Sequence, residues 1–364
     1  MILRNDSMKI FFEKCHGKKI VCYGIGHDFD MILKNYARYP WNEKVEYLVD
    51  NSPTKWGTAY EIGSRQYTII SLEQLLQEDT SNIVIFVSCS YFAEIVEQLN
   101  NIEKLSNVEC YLYYFMFALS EQSDIRIKRR KECLIPQTIH YCWFGGGELP
   151  DLYKRCIDSW HRYCPDYEII EWNESNCDIN ENLFVKQAYE RGKYGFVPDY
   201  FRLKIIKEYG GIYLDTDVEL IQNPDDLRYN EAFCGMQIPW EANLGLGFGA
   251  VKGHPAIAKL LERYHTMQFI KQDGTCDETA SPVFQTLDLR DMGMQYGNCL
   301  QEVAGMTIYP TEVLSPKNLF TREINITKYT YAIHHFDGSW VSGERLLKNK
   351  IRMENAKKMQ NLMQ

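Results

Sequence analysis

The chain has 364 residues, with 40 Lys and Arg against 49 Asp and Glu, so its formal net charge is −9. At about 150 residues per domain, that length predicts two domains, with room for a third. Apolar residues make up 45% and charged residues 24%, which excludes a disordered chain, and the acidic balance predicts no nucleic-acid partner.

Strand and helix patterns alternate through the first 120 residues. Lys19–Tyr23 is a short apolar strand that ends in Gly24-Ile25-Gly26, and a helical pattern through Phe29, Ile32 and Leu33 follows it. Val45–Val49 ends in the turn cluster Asp50-Asn51-Ser52-Pro53, and 83–88 is a continuous β-branched strand of the kind buried on both faces. Such alternation predicts a small Rossmann-like parallel α/β domain over residues 1–120. Gly24-x-Gly26 with Asp50 at the end of the next strand is part of a dinucleotide fingerprint, but Phe29 stands where its third glycine belongs. Two readings stay open for it: a bound nucleotide or nucleotide sugar, and a structural or acceptor-positioning role. The turn at 49–57 resembles the N-terminal nucleotide-binding-like domains attached to sugar-modifying enzymes.

The polar stretch 121–132 reads as a linker, and a second domain is expected over 133–345. It opens with a strand at 139–144, closed by Gly145-Gly146-Gly147, then a helix at 152–163 and a strand at 167–172. Pro198 suits a helix start, Phe201, Ile205 and Tyr209 fall on one face, and Gly210-Gly211 stops the helix. The strand Ile212-Tyr213-Leu214 then runs into Asp215-Thr216-Asp217. Alternation along a strand puts Asp215 and Asp217 on one side, and two neighbouring carboxylates at a buried strand end call for a cation. Oxygen ligands select a hard ion, Mg²⁺ or Mn²⁺, which also binds substrate phosphates. Asp199 and Arg202 share a face of the preceding helix, where a paired guanidinium suits a phosphate or a sugar hydroxyl. An EF-hand is excluded because Leu220 occupies its obligatory glycine position. A haloacid-dehalogenase-like phosphatase with Asp215 as nucleophile is disfavoured by Glu219.

Along 135–146 (Ile-Pro-Gln-Thr-Ile-His-Tyr-Cys-Trp-Phe-Gly-Gly), 156–160, 165–173, Asp199-Tyr200-Phe201-Arg202, 210–218, Gly253-His254-Pro255 and 334–340, the chain resembles glycosyltransferase family 32. That resemblance implies a GT-A nucleotide-sugar-binding fold and a metal-dependent, retaining hexosyltransferase. It would use a UDP-sugar, with GDP-mannose as the alternative, on a glycan or lipid-linked glycan acceptor in capsule, lipopolysaccharide or exopolysaccharide synthesis. A non-catalytic nucleotide-sugar-binding module is the other alternative.

By the same resemblance, Asp199, Arg202, Asp215 and Asp217 carry catalysis, and Asp215 and Asp217 bind the divalent cation together with His334 or His335. Adjacent strand residues face opposite ways, so only one of the two histidines reaches the metal, and His334 is preferred. Trp143 is the expected stacking partner of the nucleotide base. Tyr141, Glu241, Asn243, Ser339 and Trp340 complete the expected donor-binding set. The chain departs from the family pattern at Thr279-Ala280-Ser281-Pro282, where many relatives have Thr-Gly-Pro. The tail 346–364 reads as a basic amphipathic helix, with Leu347, Ile351, Met359 and Met363 on one face, suited to the surface of an anionic membrane. No run reaches the ~20 apolar residues that cross a bilayer, and no secretory h-region opens the chain, so a cytoplasmic protein, peripheral at the inner face of the membrane, is expected. Twelve cysteines without CxxC or HExxH patterns are read as reduced, mostly small core residues.

Overall fold

The computed structural model describes residues 1–116, 125–238, 241–319, 321–338, 341 and 343–363. Part of the expected linker, and both Ser339 and Trp340, lie outside the described residues. Contacts divide the chain into two units. One holds Met1–Gln122, Phe320–Arg322 and Glu344–Gln364, and the other holds Ser123–Leu319 and Glu323–Gly343.

The first unit is built on a seven-stranded sheet. Its strands are β1 (Ile2–Arg4), β2 (Lys19–Tyr23), β3 (Val45–Val49), β4 (Ala59–Ile62), β5 (Arg65–Ile70), β6 (Ile83–Val87) and β7 (Glu109–Leu112). They lie in the order β1-β7-β6-β2-β3-β5-β4, and every pair is parallel except β4 with β5. All five side chains of β6 are buried, as its unbroken apolar run requires of a strand covered on both faces. The helices His27–Asn35 and Phe92–Asn100 turn Phe29 and Ile32, and Phe92, Ile95, Val96 and Leu99, into the core.

The C-terminal helix Gly343–Met363 belongs to this unit and departs from the expected face. Ala356 and Met359 are buried, whereas Leu346, Leu347, Ile351 and Leu362 are about half exposed. No helix among the described residues is long and apolar enough to cross a membrane.

The second unit has an eight-stranded mixed sheet built from β8 (Thr138–Cys142), β9 (Glu168–Trp172), β10 (Gly211–Tyr213), β12 (Ala232–Gln237), β13 (Glu241–Asn243), β14 (Phe248–Ala250), β15 (Gln301–Val303) and β16 (Met306–Tyr309). Its main path runs β15-β16-β12-β14-β10-β8-β9, with β13 paired to β12. The pairs β8–β9, β8–β10 and β12–β16 are parallel. A separate antiparallel pair joins β11 (Val218–Leu220) to β17 (Ala332–His334). The α/β class expected from the sequence is the class observed: the first sheet is parallel but for its β4 edge, and in the second the parallel pairs flank an antiparallel β14.

The helix Pro198–Tyr209 is buried on more than one face. Tyr200, Phe201, Leu203, Ile205 and Ile206 are all enclosed, while Tyr209 is 53% exposed and rests its ring against Trp172. This burial holds Asp199 and Arg202 inside the unit, while Asp215 keeps part of its side chain exposed.

Candidate functional site

Two glycines decide where the Asp-Thr-Asp segment goes. Gly210 and Gly211 have φ of 73° and 99°, conformations that L-residues rarely adopt. A Cβ on Gly211 would stand 2.9 Å from both His140 Nε2 and Thr138 O. Only glycine lets β10 leave the helix and lie against β8. Leu214 N then donates to His140 O at 3.0 Å, the last ladder bond before the acids.

Asp215 and Asp217 are not on an extended strand, which corrects the sequence expectation. The strand stops at Tyr213, and Val218 N donates back to Asp215 O at 3.0 Å, closing a turn. The two carboxylates converge because the chain turns, not because side chains alternate. On the far side of the turn, β11 is held by the helix Asp151–Tyr163. Trp160 Nε1 donates to Val218 O at 2.7 Å, and Leu220 N donates to Ser159 Oγ at 2.9 Å.

The β11–β17 register places His334 opposite Val218. His334 Nε2 lies 3.2 Å from Asp217 Oδ1, and ligand atoms of Asp215, Asp217 and His334 all fall within 4.8 Å of one another. The neighbouring His335 points elsewhere, with Nε2 2.8 Å from Glu219 Oε2. Its backbone N–H donates to Asp217 O at 3.0 Å, and Asp337 N donates to Asp217 Oδ2 at 3.0 Å. The C-terminal segment thus clamps Asp217 from main chain and side chain together.

Arg202 joins the other end of the site. Its guanidinium pairs with Asp199 and lies 3.5 Å from Asp215 Oδ2, and Arg202 and Asp199 are only 4% and 6% exposed. Burial raises Asp199 to about 6, against the opposing pull of Arg202 and a hydrogen bond from Ser281. Burial also raises Asp215, with Arg202 opposing and the Asp217 charge adding to the rise. For Asp217, burial is outweighed by His334 and by the Asp337 amide, which bring it down to about 2. Burial disfavours the Arg202 cation, yet Asp215 and Asp199 together hold it above its ordinary value. One carboxylate of the pair is thus firmly charged, and its neighbour gains by having a cation nearby.

The donor set suits a hard divalent ion: two carboxylates and one imidazole, with the buried His334 Nδ1 lacking a hydrogen-bond partner. Water or a partner must satisfy such an atom, and a ligated imidazole is one way of doing so.

The other expected residues divide into two groups. Asn243 stands close to the acids: its Oδ1 accepts from Gly245 N at 2.7 Å, and a Cβ on Gly245 would collide with Asp215 Oδ2 and come within 3.0 Å of Arg202 Nη1. Glu241 lies on the same strand, with Oε2 accepting from Gln237 Nε2 at 2.9 Å. Trp143 is half-buried, edge-on to Tyr153 at 5.6 Å, and Tyr153 O–H donates to Asp337 Oδ2 at 2.8 Å, which ties the tryptophan to the Asp217 clamp. Tyr141 is enclosed in the core, T-shaped to Trp160 at 5.5 Å, with its hydroxyl on Glu171 Oε2 at 2.7 Å.

Sequence reading missed three residues here. Gly245 keeps the 243–246 loop against Asp215. Ser281 bonds Asp199, and Gln285, one helical turn further on, receives Leu244 N at 3.1 Å while its buried Nε2 has no partner. The available signal was the Ser281-Pro282 helix start, which sets positions 281 and 285 on one face.

Residues 150–234 match the family described as a glycosyltransferase sugar-binding region containing a DXD motif. Among curated proteins, inositol phosphoceramide mannosyltransferase 3 of Schizosaccharomyces pombe is 29% identical over 154 residues, covering 39% of this chain and 41% of its own. Inositol phosphoceramide mannosyltransferase 1 of the same organism is 26% identical over 187 residues, covering 47% of this chain and 56% of its own. The chain therefore matches about half the length of these relatives. A solved structure of a PaToxG glycosyltransferase overlaps 43% of this chain and 69% of its own at 18% identity, with a TM-score of 0.32. Residues 150–234, which include Asp215 and Asp217, are thus the part of the chain that is similar to the DXD-containing glycosyltransferase sugar-binding regions.

Proposed function

We propose that the chain is a metal-dependent glycosyltransferase that moves a hexose from a nucleotide sugar to a hydroxyl acceptor. The observation that carries this reading is the convergence of Asp215, Asp217 and His334 beside the buried Arg202–Asp199 pair. Asp215, Asp217 and His334 would hold a Mn²⁺ or Mg²⁺ ion, which when bound supplies positive charge to the diphosphate leaving group. Arg202, fixed over the Tyr213 ring at 5.6 Å, offers guanidinium N–H groups to phosphate or sugar oxygens. Asp199, steadied by Arg202 and Ser281, is placed to accept from a ribose or sugar hydroxyl. The Gln285 amide has an N–H to give to another, and Trp143 offers a face for the base.

Retention of anomeric configuration is the stereochemistry proposed. Inversion needs a carboxylate base opposite the leaving group, but Asp199, Asp215 and Asp217 are each engaged by Arg202, His334 or backbone. A UDP-sugar is the favoured donor, and the mannosyltransferase relatives keep GDP-mannose as the alternative. The acceptor class is a glycan or lipid-linked glycan of capsule, lipopolysaccharide or exopolysaccharide assembly, with the protein at the cytoplasmic face of the membrane. Exposed Leu347, Ile351 and Leu362 beside Lys350, Lys357 and Lys358 on the C-terminal helix support peripheral contact with anionic lipid.

The test is a panel of UDP- and GDP-sugars with Mn²⁺ or Mg²⁺, following donor hydrolysis and the NMR anomeric signal of any transfer product. One α-linked donor should be consumed in a metal-dependent way and give an α-glycoside. Turnover that persists in EDTA, or a β-glycoside from an α-donor, would overturn the reading.

A further inference from the structure

The first unit has a cavity of about 500 Å³ that the transferase reading does not use. It opens at the carboxyl ends of three strands, where β2 runs into Tyr23–Gly26, β3 into Asp50–Ser52, and β6 into Cys89–Tyr91. In the sheet order, the chain leaves β2 towards β3 on one side and continues from β6 towards β7 on the other. Open parallel sheets bind ligands where the strand order reverses in this way.

The partial dinucleotide fingerprint, however, is consumed by the fold itself. Asp50 accepts from Ile25 N at 2.8 Å, Ser52 N at 2.8 Å and Lys55 Nζ at 2.9 Å, so its carboxylate locks the loops and has little capacity for a ribose. The Ile25 amide is occupied by the same bonds. Gly24, at φ 92°, lies so close to Cys89 that a Cβ would stand 2.9 Å from the cysteine Cβ. A dinucleotide pyrophosphate has no open cradle in this loop.

What remains open is the other wall. Tyr91 lines the cavity with its side chain 67% exposed, next to Ile95, Ile25 and Tyr23. An aromatic ring held in solvent at the mouth of an apolar crevice is a stacking surface for a planar ring. Ser90 lies at the same rim, and Arg352 Nη2 of the C-terminal helix, in the same unit, donates to Ser90 Oγ at 3.4 Å. Arg352 thus stands behind the lining residue Ser90, and Lys55, which lines the cavity itself, is already neutralised by Asp50. The first turns of helices His27–Asn35 and Phe92–Asn100 both border the crevice. Against this stand Asp28 and Glu94, two acids on the lining that weigh against a highly charged ligand.

We propose that this crevice binds a nucleoside monophosphate group, with the base stacked on Tyr91 and the single phosphate directed to Ser90 and Arg352. The volume suits a mononucleotide, free or as the nucleotide end of a larger molecule. A site of this kind would let the first unit sense nucleotide independently of the metal site in the second.

The experiment is calorimetric titration of the full-length Asp215→Asn/Asp217→Asn protein in EDTA, which disables the metal site. The probes are UMP, AMP, uridine, adenosine and ribose 5-phosphate. At least one nucleotide should bind saturably, and its matching nucleoside should bind more weakly. Tyr91→Ala, at an exposed position, should weaken the nucleotide by about 5- to 150-fold, the range of one base–aromatic stack. Arg352→Gln should weaken the nucleotide but leave its nucleoside unchanged. The proposal is overturned if neither nucleotide binds, if ribose 5-phosphate binds as tightly as the nucleotides, or if Tyr91→Ala and Arg352→Gln both bind like the parent.

Discussion

Removing the Arg202 guanidinium should separate its structural role from its role in turnover. Arg202 is the cation between the buried Asp199 and the partly exposed Asp215. Breaking such a pair from one side leaves an uncompensated charge and costs about 3–5 kcal/mol. The cost must depend on pH, and its sign follows from Asp199. Its folded value, raised from 3.8 to about 6, means that the folded state favours the protonated acid, so the group's contribution to stability is fully present below 3.8 and is lost as pH rises through 6. That shift corresponds to roughly 3 kcal/mol in the wild type, and Arg202→Ala takes away the charge that restrains it further. The variant should therefore show its full deficit at pH 8 and a smaller one at pH 5, and Asp199→Asn should restore much of the loss in the double variant. Urea denaturation at pH 5, 6.5 and 8 in EDTA measures this directly. In the same protein, kcat should fall far more than donor KM rises, as expected of a group that meets charge developing on the leaving group. Equal stability of variant and wild type across this range, or a deficit that grows on acidification, would refute the burial argument.

If Asp215, Asp217 and His334 hold Mn²⁺ as proposed, the ion should stabilise the wild type by about 2.7 kcal/mol at a hundredfold excess over Kd and leave Asp217→Asn unchanged, which thermal melts with and without the ion report. Gly245→Ala should lower turnover by about 100-fold with little change in denaturation midpoint, because its methyl group displaces Asp215 and Arg202 from their positions. His140 donates from Nε2 to Gly210 O at 3.0 Å and accepts from Trp172 Nε1 at 3.1 Å, and burial lowers its value from 6.5 to about 4. It therefore contributes stability above pH 6.5 that is lost as pH falls towards 4, up to about 3 kcal/mol, and His140→Gln should lose less on acidification over that window.

Local sequence determined a good deal of this protein. The unbroken apolar run of β6 marked it as a strand buried on both faces, the apolar stretch Ile20–Tyr23 marked β2, and Pro198 with Gly210-Gly211 bounded the helix that carries Asp199 and Arg202. The paired acids were legible for the same reason: two carboxylates behind an apolar strand have no cheap structural explanation. Tertiary structure decided which distant groups meet them. His334 reaches the acids because β17 pairs with β11 in one register, while His335, one residue on, turns to Glu219. Tyr141 went to the core and Trp143 stayed half-exposed, although both lie in or beside one short strand, because only the packing of Trp160 and Tyr153 tells those positions apart. The C-terminal helix has a periodicity that allows several faces, and the fold buries the one that carries Ala356 and Met359. Gly245 and Gln285 carry no motif, since their roles depend on closeness to Asp215 and Leu244 across the fold. Local pattern settles what forms a strand, a helix or a turn, because those preferences act within a few residues. Which side chains share one buried site depends on register and packing between segments far apart in the chain, and that only the folded structure decides.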